Sequence, residues 1–169
     1  VGRIRTLVRE LGLQEDTLIV FTSDNGPLEQ APELFDSNGS LRGYKRDMYE
    51  GGIRVPFVVC WPGRVPAGST SPAVFAFWDL LPTFAELAGA SVPHALDGRS
   101  VLDALLGRKP SVEERLLYWD YGHTRGNFMQ AVRLGDWKVV RPGPGAAVEL
   151  YDLANDPVES NNLAEANPE

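Results

Sequence analysis

The sequence predicts an α/β unit that gives way, in its last third, to a small antiparallel sheet. Three observations carry this. Leu18-Ile19-Val20-Phe21 is an unbroken apolar run, as expected of a strand covered on both faces rather than one with a wet side. It follows a segment of helical spacing closed by a glycine, one arm of an α/β crossover. After Arg115 come short strand-like runs separated by turn signals, the pattern of a meander.

In chain order, Val1, Ile4, Leu7, Val8 and Leu11 recur at helical spacing with basic residues between them. This predicts an amphipathic helix with Gly12 as its C-cap. A crossover needs a strand before its helix, and none precedes this one. The central strand at 18–21 is therefore expected to lack a neighbour, and the chain, which does not open on Met, to be a piece of a longer protein. That strand breaks into Thr22-Ser23-Asp24-Asn25-Gly26-Pro27, which reads two ways. Asp-Asn-Gly is ordinary turn chemistry. Ligand sites in open α/β sheets also gather beyond the carboxyl ends of strands. Asp24 and Asn25 set a carboxylate beside an amide carbonyl, the hard oxygens that Ca²⁺ or Mg²⁺ takes.

Residues 28–51 show no apolar periodicity, and connections this long are functional or disordered. The stretch Arg42-Gly43-Tyr44-Lys45-Arg46-Asp47-Met48-Tyr49-Glu50-Gly51-Gly52-Ile53-Arg54, rich in Gly, Lys, Arg and Tyr, predicts an ordered loop. Residues 55–61 form a second core strand with Pro56 at its start. It holds the only cysteine, Cys60, read as a packed and unreactive thiol. A helix is expected over 78–88, with Asp79 as N-cap, Pro82 in the first turn and Gly89 beyond the end. A short amphipathic helix over 101–106 ends at Gly107. Strand-like runs follow at 116–119, 131–134, 137–140 and 148–151, then a polar irregular tail from Asp156. A boundary near Lys109-Pro110 separates an α/β part, 1–109, from a sheet subdomain, 110–169.

Bulk composition narrows the function. At 169 residues, 43% hydrophobic and 23% charged, the chain can bury a substantial core. A net charge of −7 argues against nucleic acid or an anionic membrane as partner of the overall surface, while leaving room for a local anion site built on one lysine. One cysteine excludes an intrachain disulfide and a thiolate metal cluster. No apolar run reaches transmembrane length, and the first residues read as helix rather than as a signal peptide.

Taken in order, the motifs resemble the C-terminal part of the sulfatase family, within the alkaline-phosphatase-like superfamily. Phe21-Thr22-Ser23-Asp24-Asn25-Gly26 resembles its second metal-binding segment. Gly43-Tyr44-Lys45 with Tyr49-Glu50-Gly51-Gly52-Ile53-Arg54-Val55-Pro56 resembles its lysine loop. Asp79-Leu80-Leu81-Pro82-Thr83 and Asp97-Gly98-Arg99-Ser100 are similar to the helix and loop that follow. Gly135-Asp136-Trp137-Lys138, Glu149-Leu150-Tyr151-Asp152-Leu153 and Asp156-Pro157 are similar to its terminal antiparallel sheet.

The resemblance implies an incomplete alkaline-phosphatase-like α/β sandwich followed by the sheet subdomain. It implies that Asp24 and Asn25 ligate a divalent cation, usually Ca²⁺ with Mg²⁺ as the alternative, and that Lys45 contacts the sulfate group of an aryl or carbohydrate sulfate ester. The family's nucleophile is a formylglycine made within a Cys/Ser-x-Pro-x-Arg motif. Cys60 is followed by Trp61-Pro62-Gly63 and does not match. The nucleophile and the remaining metal ligands are thus expected in a missing N-terminal part of the same protein. This chain alone is expected to be inactive, and poorly soluble or partly unfolded, and the family favours a periplasmic or secreted location. A phosphonate or phosphate ester hydrolase of the same superfamily, and a non-catalytic module binding an anion or a partner, are the other readings. His123 borders the substrate pocket or is an exposed loop histidine, and His94 has no assigned role. Arg42, Arg46 and Arg54 serve anion binding or structural ion pairs, with Arg46 kept as a pocket candidate. Tyr49 and Glu50 shape the lysine loop. Trp61, Trp78, Trp119 and Trp137 are read as packing residues rather than a sugar platform.

Overall fold

A computed structural model describes residues 1–29, 32–92, 94–109, 114–122 and 128–168. Its elements in chain order are α1 (Gly2–Glu10), β1 (Ile19–Thr22), α2 (Pro32–Phe35), α3 (Glu50–Ile53), β2 (Phe57–Cys60), a 3-10 turn (Phe77–Asp79), α4 (Leu80–Leu87), α5 (Leu102–Leu105), β3 (Leu116–Asp120), β4 (Gln130–Leu134), β5 (Trp137–Arg141) and β6 (Glu149–Asp152). Two compact units result, Val1–Phe21 with Phe57–Glu113, and Thr22–Pro56 with Glu114–Glu169.

In the first unit α1 ends where Gly12 turns to φ +70°. Its apolar stripe of Val1, Ile4, Leu7 and Leu11 is exposed. β1 pairs with β2. The expectation of a central strand buried on both faces is not met. Ile19 and Val20 are half-buried, and Phe21 and Val58 lie exposed. Each strand has one hydrogen-bonded neighbour among the described residues, and a two-stranded ribbon cannot cover its own faces. Cys60 is likewise half-buried rather than packed away.

The most deeply buried side chains of this unit are polar. Asp79 and Thr83 are both fully buried. The Asp79 carboxylate accepts from the backbone N–H of Ala76 at 2.8 Å and of Arg99 at 2.9 Å. Thr83 Oγ1 donates to the Asp79 carbonyl at 2.6 Å and accepts from Val101 N–H at 2.9 Å. Asp79 thus stands at the N-cap of α4, as expected, but its carboxylate bonds back to the 3-10 turn and across to the downstream loop instead of to α4, so helix and loop are tied by satisfied buried groups.

The second unit is the expected meander, β3-β4-β5-β6, antiparallel throughout. Residues alternate between its faces. One cross-strand row runs Leu117, Arg133, Lys138, Tyr151, and the next but one runs Trp119, Ala131, Val140, Glu149. Leu117, Ala131, Lys138, Val140 and Tyr151 are buried, and Met48, Tyr49, Met129 and Leu153 join the core. The covered face therefore carries Arg133 and Lys138 side by side. Trp137 points the other way and is exposed, against the packing role read from sequence.

Candidate functional site

The segment after β1 and the lysine loop are one backbone construction. Gly26 N–H donates to the Gly52 carbonyl at 2.8 Å and Lys45 N–H to the Pro27 carbonyl at 2.7 Å. Within the loop, Gly51 N–H donates to the Arg42 carbonyl at 2.7 Å. Tyr44 N–H is held by Asp47 Oδ2 at 2.7 Å. Asp24, Asn25 and Lys45 thereby lie on loop segments stitched together by backbone hydrogen bonds. Ser23 Oγ donates to the Asn25 carbonyl, and Asn25 Nδ2 donates to the Gly26 carbonyl at 2.9 Å, leaving Oδ1 as an acceptor. Asp24 and Lys45 are exposed, and neither side chain has a partner among the described residues.

A carboxylate and an amide oxygen in sequence are donors that suit a hard divalent cation. They are also too few, since calcium takes six to eight oxygens. No group of three or more His, Cys, Asp or Glu able to hold a metal occurs among the described residues.

Beneath this loop lies a buried charge cluster that sequence reading missed. Glu50 opens α3 from inside the lysine loop, and Lys138 Nζ meets its Oε1 at 2.9 Å and Glu159 Oε1 at 2.8 Å. Glu159 Oε2 accepts the backbone N–H of Glu50 at 2.6 Å. Arg133 and Arg54 stand 3.6 and 3.8 Å from Glu50 Oε2, as ion pairs without hydrogen bonds. Glu159 Oε1 likewise meets the ammonium without a hydrogen bond. Glu50, Lys138 and Glu159 are all buried. Burial raises the Glu159 carboxyl above its ordinary range, with Lys138 pulling the other way. Glu159 also adopts φ +56°, a conformation costly for a residue with a Cβ. The tail read as irregular therefore carries a fixed anchor near its start. A signal was present: Lys138 alternates with Val140, so one strand face carries both.

Arg42 binds the same region from the loop side. Its Nη1 donates to Tyr151 Oη at 2.7 Å and to the Glu159 carbonyl at 3.0 Å, and its guanidinium lies 3.7 Å over the Tyr49 ring. Tyr49 and Tyr151 both donate to Glu149 Oε2 at 2.7 Å. Of its two sequence readings, Arg42 takes the structural one, as does Arg54. Burial and the Glu149 carboxylate push the Tyr151 phenol up to about 12 and raise Tyr49 further. A phenol whose folded pKa is raised contributes stability that is full below the unfolded value, about 10, and lost as pH climbs through the folded one. Denaturant melts between pH 10 and 12 are expected to show stability falling with pH, with a shallower slope in Tyr49→Phe. An identical slope would refute the assignment.

Arg46 is half-buried at φ +89° with no ion pair among the described residues. His123 lies outside the described residues. A cleft of about 290 Å³ in the first unit, lined by Arg5, Arg9, Thr17 and Cys60 among others, contains none of these residues. No helix among the described residues is long and apolar enough to cross a membrane.

A carboxylate and an amide set near a lysine, on a loop anchored by buried charge, make a wall suited to a cation and an anionic group. Residues 42–169 match the family described as N-sulphoglucosamine sulphohydrolase, C-terminal. The chain is 36% identical to human arylsulfatase A over 96% of its own length and 36% of that protein's. The chain thus spans little more than a third of that curated relative. A structure described as a complex with its substrate D-glucosamine-2-N,6-O-disulfate is 30% identical with a TM-score of 0.79, over 99% of this chain and 34% of the other. The phosphonate monoester hydrolase of Agrobacterium radiobacter is 26% identical, TM-score 0.71, over 99% and 34%. The chain belongs to the sulfatase family and carries its C-terminal portion, with the alkaline-phosphatase-like fold.

Proposed function

We propose that these residues form one wall of the active site of a sulfate-ester hydrolase. Asp24 and Asn25 give two oxygens to a divalent cation, Ca²⁺ before Mg²⁺, and Lys45 holds the sulfate group. The observation that supports this most is the pair of backbone bonds from Gly26 to Gly52 and from Lys45 to Pro27, which hold the three side chains on one loop. Cleavage at sulfur builds negative charge on the sulfuryl and leaving oxygens. The cation, when bound, stabilises that charge as a Lewis acid. Lys45 adds a fixed positive charge that does not have to be reorganised during reaction. Asp24 stays available for the metal because no cation of this chain competes for it among the described residues. The formylglycine nucleophile and the remaining ligands belong to sequence outside these residues, and the substrate is a carbohydrate or aryl sulfate ester. A periplasmic or secreted location goes with this reading.

In the complete gene product, Asp24→Ala is expected to lower bound metal, read by elemental analysis, and sulfatase turnover together, by at least a hundredfold in turnover on the scale of transition-state charge stabilisation. Full metal content with full turnover would overturn the assignment. The similarity to a phosphonate monoester hydrolase favours one second reading, hydrolysis of phosphonate or phosphate esters at the same wall. Parallel rates with an aryl sulfate and an aryl phosphonate monoester separate the two.

A further inference from the structure

Outside Asp24, Asn25 and Lys45, a buried triangle of Glu50, Lys138 and Glu159 stands beneath the lysine loop. Its residues come from three distant stretches: the lysine loop, β5 and the tail. Lys138 Nζ holds both carboxylates, at 2.9 and 2.8 Å, and the second oxygen of Glu159 holds the Glu50 N–H at 2.6 Å. From Glu50 the connection to the site is short. Two residues on, the Gly52 carbonyl accepts Gly26 N–H, and Asn25 and Asp24 precede Gly26 directly. On the other side, Gly51 N–H holds the Arg42 carbonyl, three residues before Lys45. Arg42 in turn grips the Glu159 carbonyl at 3.0 Å. The tail residue thus touches both ends of the loop.

Resting on the reading above, we infer that Glu159 and Lys138 are positioning residues for the cation and sulfate groups, acting through Glu50 and Gly52. Neither reaches the exposed surface where Asp24 and Lys45 stand, since both are fully buried. A buried ion pair is a weak source of net stability, and in some proteins such groups instead fix one defined geometry. That fits a clamp on a loop whose function is to hold ligands at fixed separation.

The test uses the complete gene product and Glu159→Gln, which keeps the shape and an acceptor for Glu50 N–H while removing the charge facing Lys138. Calcium titration is expected to show a dissociation constant raised about tenfold at a temperature where circular dichroism is unchanged. Hydrogen exchange in peptides spanning 24–27 and 43–53 is expected to accelerate about tenfold, with peptides from β4 and β5 unmoved. Unchanged calcium affinity and loop exchange would overturn the inference, even if Tm fell, because a purely structural role moves stability alone. If Glu159→Gln does not fold, Glu159→Asp, which keeps the charge and shortens the reach, is read by the same two measurements. Asp24→Ala separates the layers. If it leaves calcium binding intact, the site reading fails. If it removes binding while the Glu159 variants change nothing, only the clamp is lost.

Discussion

Lys138→Met is expected to destabilise the second unit by about 3–5 kcal/mol, the cost of leaving buried charge uncompensated when one partner of a buried ion pair is removed. The methionine fits the volume and the strand position, so packing is not the reason. What remains is two carboxylates, Glu50 and Glu159, each buried and joined through the Glu50 N–H, with Arg133 no closer than 3.6 Å to the nearer one. Against a typical domain stability of about 5–15 kcal/mol, this loss is a large fraction of the whole. The effect must also depend on pH. The Glu159 carboxyl already sits above its ordinary range through burial, and losing the ammonium that opposes this raises it further. A carboxyl raised in the folded state stabilises the fold below its unfolded pKa and loses that contribution as pH rises through the folded one. Urea melts should therefore show a smaller deficit at pH 5 than at pH 8. A second substitution, Glu159→Gln, should restore part of the loss at pH 8. A deficit under about 1 kcal/mol at both pH values would mean that the cluster is better hydrated than its burial indicates.

The same cluster shows where sequence reading stops. The meander was legible because short strand-like runs separated by Gly-Asp and Pro-Gly turns read as antiparallel strands, and β3 to β6 stand where those runs lie. Asp24, Asn25 and Lys45 were picked out through the resemblance of their motifs to the sulfatase family, because Asp-Asn-Gly by itself reads as turn chemistry as readily as a ligand site. The ion triangle was hidden because its members are 88 and 109 residues apart along the chain, and no local pattern encodes a tertiary charge balance. Lys138 alternating with Val140 announced an inward lysine, but not its partners. Burial at β1 was misread for the converse reason. An apolar run states what a strand would cover if neighbours were present, and only one neighbouring strand is present among the described residues.

Gly26→Ala is expected to cost about 3 kcal/mol, the upper end of ordinary overpacking penalties, and to disable the proposed site along with it. A Cβ at this position would run into the Gly51 carbonyl oxygen and lie 2.9 Å from two further backbone atoms. These are backbone neighbours, so no rotamer change can relieve the contact. One of the two segments must move, and the Gly26 N–H to Gly52 hydrogen bond goes with it. Because that bond sets Asn25 and Asp24 against the lysine loop, separation by about an ångström is enough to cost on the order of a hundredfold in turnover of the complete enzyme. Gly2→Ala provides the control. Nothing lies within 4 Å of a Cβ there, the residue opens α1, and exchanging glycine for alanine in a helix gains up to about 1 kcal/mol. Thermal melts and calcium titrations of the two variants side by side test the close approach directly. A Gly26→Ala protein with wild-type Tm and wild-type calcium affinity would show that the metal segment and the lysine loop are not locked together.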